Sequence, residues 1–220
     1  MASRPSSPDS RPAVPRLYLV TPPVQDLAAL AGRLADALDG GDVAAVLVRA
    51  PQADDDSLIN RVKALAAPTQ NKGAALLIDG HPGLVAQSGA DGAHVTGAKA
   101  LASAAALLKP AHVVGVGGLA GRHDAMSAGE GGADYVMFGE PDVHGRRPAF
   151  EAIVERVAWW AELFVVPCVG YAASLDEIEP LCSARADFIA VEDLVFSDSR
   201  GPRAAFRDVT SRLRATEPAQ

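Results

Sequence analysis

The chain has 220 residues, 49% of them hydrophobic and only 5% aromatic, and a formal net charge of -7. That length suits one α/β barrel or doubly wound sheet and leaves little room for two full domains, while a core poor in aromatics is built from Ala, Val, Leu and Ile. An acidic balance without a basic stripe excludes a nucleic-acid partner from the expected functions and leaves a small-molecule ligand.

Met1–Pro15 is rich in Pro, Ser and Arg and lacks hydrophobic periodicity, so a disordered tail is expected there, with no amphipathic targeting stripe. From Leu17 onward, short apolar runs alternate with longer helical stretches, the pattern of repeated strand-helix units on a parallel sheet. Strands are predicted at Leu17–Thr21, Val43–Arg49, Ala74–Ile78, Gly92–Val95, His112–Val116, Tyr135–Phe138, Phe164–Val169 and Phe188–Val191. Between them lie predicted helices that include Asp26–Leu38, Asp54–Ala66, Leu101–Leu108, Phe150–Ala161, Leu175–Leu181 and Arg203–Leu213. Eight units predict closure into a (β/α)8 TIM barrel over residues 16–214, followed by a flexible C-terminus at 215–220.

Two phrases recur before strands: Gly89-Ala90-Asp91-Gly92 and Gly132-Ala133-Asp134-Tyr135, with Arg185-Ala186-Asp187-Phe188 as a weaker copy. A glycine closing a helix and an Asp tying the turn into the next strand is a structural device. It belongs at the amino-terminal face of a barrel, away from the chemistry. Ligands bind at the opposite face, so the residues just after each strand are the candidates, among them Arg49, Asp79, Lys99, Gly117, Glu140, Gly170 and Asp193.

Arg49 after the second strand, Asp91-Gly92-Ala93-His94 around the fourth, Ala133-Asp134-Tyr135-Val136-Met137-Phe138-Gly139 at the sixth and Val166-Pro167-Cys168-Val169-Gly170 at the seventh carry a resemblance. In order and spacing, from Arg16 to Leu213, the sequence resembles the thiamine-phosphate synthases and the related thiazole tautomerases. The resemblance implies a barrel transferase that joins hydroxymethylpyrimidine diphosphate to a thiazole phosphate and releases pyrophosphate. It also implies a magnesium ion held on the diphosphate by two aspartates, with cations and hydroxyls steadying the charge.

By position, much of that machinery is replaced. The family's Asn-Asp pair falls on Asp79 and Gly80, and its second metal aspartate falls on Lys99, so no metal site is expected; Asp79, Lys99 and Glu140 become the catalytic candidates. Gln-x-Arg-x-Lys keeps only Arg49, the serine after the fifth strand is Gly117, and Thr-x-Thr-Lys corresponds to His144-Gly145-Arg146-Arg147. The phosphate-gripping Gly-Gly beyond Gly170 is Ala172-Ala173, and the hydroxyl after the eighth strand is Asp193 beside Glu192. Arg49, Gly117, Arg147, Gly170 and Asp193 are therefore the ligand-binding candidates. The expectation is a synthase-like protein of weak, altered or lost activity; a binding protein for a small phosphorylated or heterocyclic metabolite, or a tautomerase-like isomerase with Glu140 as base, are the alternatives.

Plainer readings stand beside several of these residues. Arg49 can pair with Asp79 or Glu192 instead of a ligand, His94 can be a hydrogen-bonded core residue, and Asp54-Asp55-Asp56 can cap the second helix. Cys168 and Cys182 form no CxxC pair and read as reduced, buried thiols. Trp159-Trp160 is expected to pack under the barrel, with a homodimer interface as the alternative. No apolar run reaches the roughly 18 residues that span a bilayer, so no membrane contact and a cytoplasmic location are expected.

Overall fold

The computed structural model describes residues 14–23, 27–49 and 54–216. The expected tail lies outside the described residues up to position 13. Val14 and Pro15 are described and pack onto the barrel, a correction to the tail's boundary. At the other end Ala215 still belongs to the last helix, and the Thr216 hydroxyl donates to the Leu213 carbonyl, so a loose C-terminus does not begin at 215. Positions 217–220 lie outside the described residues.

Eight parallel strands close into a barrel in chain order. They are β1 (Arg16–Val20), β2 (Val43–Val48), β3 (Ala75–Asp79), β4 (Gly92–Thr96), β5 (Val113–Gly117), β6 (Tyr135–Phe138), β7 (Cys168–Tyr171) and β8 (Phe188–Val191). The helices are α1 (Leu27–Leu38), α2 (Asp55–Gln70), α3 (Val85–Ser88), α4 (Ala98–Leu108), α5 (Arg122–Glu130), α6 (Phe150–Leu163), α7 (Ile178–Ser183), α8 (Asp193–Phe196) and α9 (Pro202–Ala215). β1 pairs with both β2 and β8, so the sheet has no free edge.

Period-two alternation divides the strand residues between two layers. One set, including Leu19, Val46, Leu76, Val114 and Val136, meets the helices. The other, including Tyr18, Leu47, Leu77, Tyr135, Met137, Val169 and Tyr171, fills the barrel interior. Gly115 makes room there, because a Cβ at that position would collide with the Tyr135 ring.

The recurring phrases are structural, but their aspartates tie backward. Asp91 accepts from Leu76 N of β3 at 2.7 Å, Asp134 from Val114 N of β5 at 2.7 Å, and Asp187 from Cys168 N of β7 at 2.8 Å. Each carboxylate thus closes the amino-terminal end of the strand before it, not the one it introduces. Gly89, Gly132 and Arg185 occupy the left-handed region at φ 75°, 86° and 65°, which reverses the chain before the Asp.

The seventh strand begins four residues later than expected. Phe164 caps α6 and stacks on Trp160 at 4.0 Å, and Trp160 Nε1 donates to Val166 O at 2.7 Å, so Phe164 and Val166 pack against the core while Val165 between them is exposed. Asp54 caps α2 as expected, accepting from Ser57 N at 2.9 Å, but α2 continues through Pro68 to Gln70.

Candidate functional site

Strand ends place the polar groups. A cavity of about 800 Å³ opens at the carboxyl ends of the strands, walled by Val20, Leu47 and Met137 below and by Arg49, Asp79 and Glu140 above. It extends outward over the loop after β5, the loop after β6 and Arg156 of α6.

Arg49 follows β2, with its backbone N–H held by the Thr21 hydroxyl at 3.1 Å. Its guanidinium lies 2.6 Å from Glu192 Oε2 and 3.8 Å from Asp79 Oδ2. Glu192 is buried just after β8 and also accepts from the Tyr171 hydroxyl at 3.1 Å. Burial pushes the Glu192 and Asp79 carboxyls above their ordinary range, while the Arg49 charge pulls both back. A buried ion pair of this kind satisfies both members internally.

Beneath it runs a chain of buried hydroxyls ending on a histidine. Tyr18 and Tyr135 share a hydrogen bond of 2.7 Å, and Tyr135 meets His94 Nδ1 at 2.9 Å. Burial above all, then the Arg49 charge, lowers His94 to about 3, so the ring is neutral at neutral pH. The plain reading of His94 as a hydrogen-bonded core residue thus matches its surroundings, although it also walls the cavity.

Glu140 follows β6 and folds inward, accepting from Gly118 N at 2.5 Å. Its carboxyl covers Gly117: a Cβ there would collide with Glu140 Oε1 and would lie 2.9 Å from His94 Nε2. Burial raises the Glu140 carboxyl above its usual range, against the pull of the Gly118 N–H.

Arg147 locks the loop after β6 to the end of β7. Its guanidinium donates to Gly139 O at 2.6 Å and Tyr171 O at 2.9 Å, and pairs with Glu177 at 3.0 Å. Glu177 also accepts from Ala173 N at 2.7 Å.

The cavity gathers Arg49, Asp79, Glu140 and Arg147, and Gly117 lies directly beneath Glu140. Three candidates stand elsewhere. Lys99 is exposed in the first turn of α4 and does not wall the cavity. Gly170 is inside β7 with its Cα turned toward Leu181 of α7, on the helix side of the sheet. Asp193 is exposed at the start of α8 and accepts from the Ser197 hydroxyl at 3.2 Å. Sequence reasoning passed over Glu177 and Arg156, and weighed Glu192 and His94 only as a pairing carboxylate and a core residue. Glu192 was accessible as the first residue after β8; Arg156 sits mid-helix, where no strand-end rule reaches it.

A closed parallel barrel with a polar cavity at the carboxyl ends of its strands defines a (β/α)8 barrel protein. Comparison with known proteins gives the family. Residues 17–194 match the model of the thiamine monophosphate synthase family, and the chain belongs to that family. It is 41% identical over 202 residues to the thiamine-phosphate synthase of Rhodospirillum centenum, covering 90% of this chain and 98% of that protein. It is 36% identical over 200 residues to the thiamine-phosphate synthase of Hyphomonas neptunium, covering 87% and 90%. Among solved structures, thiamine phosphate pyrophosphorylase from Pyrococcus furiosus superimposes with a TM-score of 0.76 at 20% identity over 92% of this chain and 97% of that one. A 3-hexulose-6-phosphate synthase follows the same fold with a TM-score of 0.68 at 14% identity, over 89% and 99%.

Proposed function

We propose that this chain is a thiamine-phosphate synthase-like protein of thiamine biosynthesis whose magnesium-dependent joining of pyrimidine diphosphate and thiazole phosphate is weakened or altered. The observation that carries the reading is Arg49, which walls the cavity but is already paired with Glu192 at 2.6 Å and Asp79 at 3.8 Å. The magnesium ion of the family does not fit the side chains present. Asp79 faces a guanidinium, Glu140 is engaged by the Gly118 amide, and Lys99, which takes the second aspartate's place in the sequence, is exposed outside the cavity. Among the described residues no group of three or more His, Cys, Asp or Glu side chains is arranged to hold a metal. A small phosphorylated or heterocyclic metabolite is the ligand class, taken up in the cavity over the neutral His94.

Residual chemistry at this site is proton transfer. A carboxyl whose pKa is raised by burial, fixed by one backbone amide and open to the cavity, is suited to proton transfer, and Glu140 has those properties. The test is turnover. Purified protein with both thiamine precursors and magnesium is expected to release pyrophosphate far more slowly than the Rhodospirillum centenum relative assayed in parallel. Equal, magnesium-dependent release by both would overturn the reading.

A further inference from the structure

The carboxyl ends of the strands offer several donors that an anion would use, and the chain's own glutamates fill them. Glu192 takes Arg49, Glu140 takes the Gly118 amide, and Glu177 takes both Arg147 and the Ala173 amide. An incoming phosphate must displace a carboxylate at each of these places, against like-charge repulsion from its neighbours.

Arg156 differs. It leaves α6 to wall the outer part of the cavity, where its guanidinium donates to Leu119 O at 2.7 Å and Ala120 O at 3.3 Å and lies 6.0 Å over the Phe138 ring. Its hydrogen-bond partners are carbonyls, and among the described residues no carboxylate comes within ion-pair distance of it. Two of the five N–H donors of a guanidinium are thereby used, so three stay available for a planar, two-point grip on an oxyanion. The carbonyl contacts also fix the fork in place, which lowers the entropy lost on binding.

We infer that Arg156 is the anion anchor of this cavity and that Glu140, Glu177 and Glu192 are internal counter-anions that bar phosphate from the strand ends. This deepens the reading above and rests on it. The ligand class is a compact phosphate ester or carboxylate whose charged group sits over the loops after β5 and β6, with its uncharged part reaching toward His94.

Inorganic phosphate is the probe, titrated calorimetrically into the full-length protein without magnesium. Arg156→Gln is expected to weaken binding at least tenfold, about 1.4 kcal/mol. Arg156→Lys, which keeps the charge but not the planar fork, is expected to restore only part of the affinity, and the salt dependence of binding should flatten in Arg156→Gln alone. Glu192→Gln is expected to tighten phosphate binding by releasing Arg49, and an unchanged affinity would overturn the counter-anion role of Glu192. A lost Arg156 contact that merely loosened the loop would lower the melting temperature of both Arg156 variants equally and would leave the salt slope unchanged. Phosphate affinity unaffected by Arg156→Gln, or no phosphate binding by the unmodified protein, overturns the inference. Fast synthase turnover with an intact Arg156 effect would instead overturn only the loss of activity.

Discussion

Replacing Gly117 by alanine tests the packing of the mouth at its tightest point. The backbone there is not in the left-handed region, so alanine is allowed conformationally and stabilises through the unfolded chain by about 0.4–1 kcal/mol. The new methyl collides with Glu140 Oε1, and the carboxyl must swing away from the Gly118 amide. A hydrogen bond to a charged group contributes about 1.5–3 kcal/mol, and because the His94 ring at 2.9 Å must also yield and offsets the unfolded-chain gain, the net loss is about 1.5–3 kcal/mol. With Glu140→Ala already in place the obstacle is gone, and only the His94 ring at 2.9 Å must yield. The same substitution is then nearly neutral, and the double-mutant cycle gives a coupling of about 1.5–3 kcal/mol. Urea unfolding at pH 8, with unchanged m-values, reads the four stabilities. Equal costs of Gly117→Ala in both backgrounds would refute the placement of Glu140 over Gly117.

Removing one strand tie should cost more than an ordinary surface change: Asp134→Ala leaves Val114 N without its acceptor, a loss of about 1–3 kcal/mol visible as a lower urea midpoint. His94 should impose an acid-side slope on stability. Its folded pKa of about 3 lies below the unfolded value, so its contribution is complete above pH 6.5 and is lost as pH falls toward 3. His94→Gln should remove that component, seen as the difference between wild-type and variant stabilities across pH 3–7; identical pH profiles would count against a buried neutral imidazole. Arg147→Met should destabilise by about 2–3 kcal/mol, because it leaves the mostly buried Glu177 without its cation, and thermal melts should show it.

The barrel was legible because period-two apolar runs separated by helical stretches admit few other arrangements. β7 was the exception, since Phe164 and Val166 are as apolar as any strand residue yet serve the Trp160 stack. α5 was not among the predicted helices because Arg122–Glu130 has little apolar character, although the glycines at 129–132 marked its end. At the mouth, strand-end reasoning located Arg49, Asp79 and Glu140 and named the carboxylates that could pair with Arg49. It could not see that Glu140 folds back over Gly117, because that depends on the left-handed turn of Gly139 at φ 94°. It also gave Lys99 and Asp193 roles at the mouth from position alone, whereas the first turn of a helix directs each of them to solvent.

A crystal structure grown with magnesium and inorganic pyrophosphate tests the central claim most directly. Arg49 still joined to Glu192, with pyrophosphate lying against Arg156, is the predicted outcome. Magnesium bound by Asp79, with pyrophosphate gripped by Arg49, would contradict it.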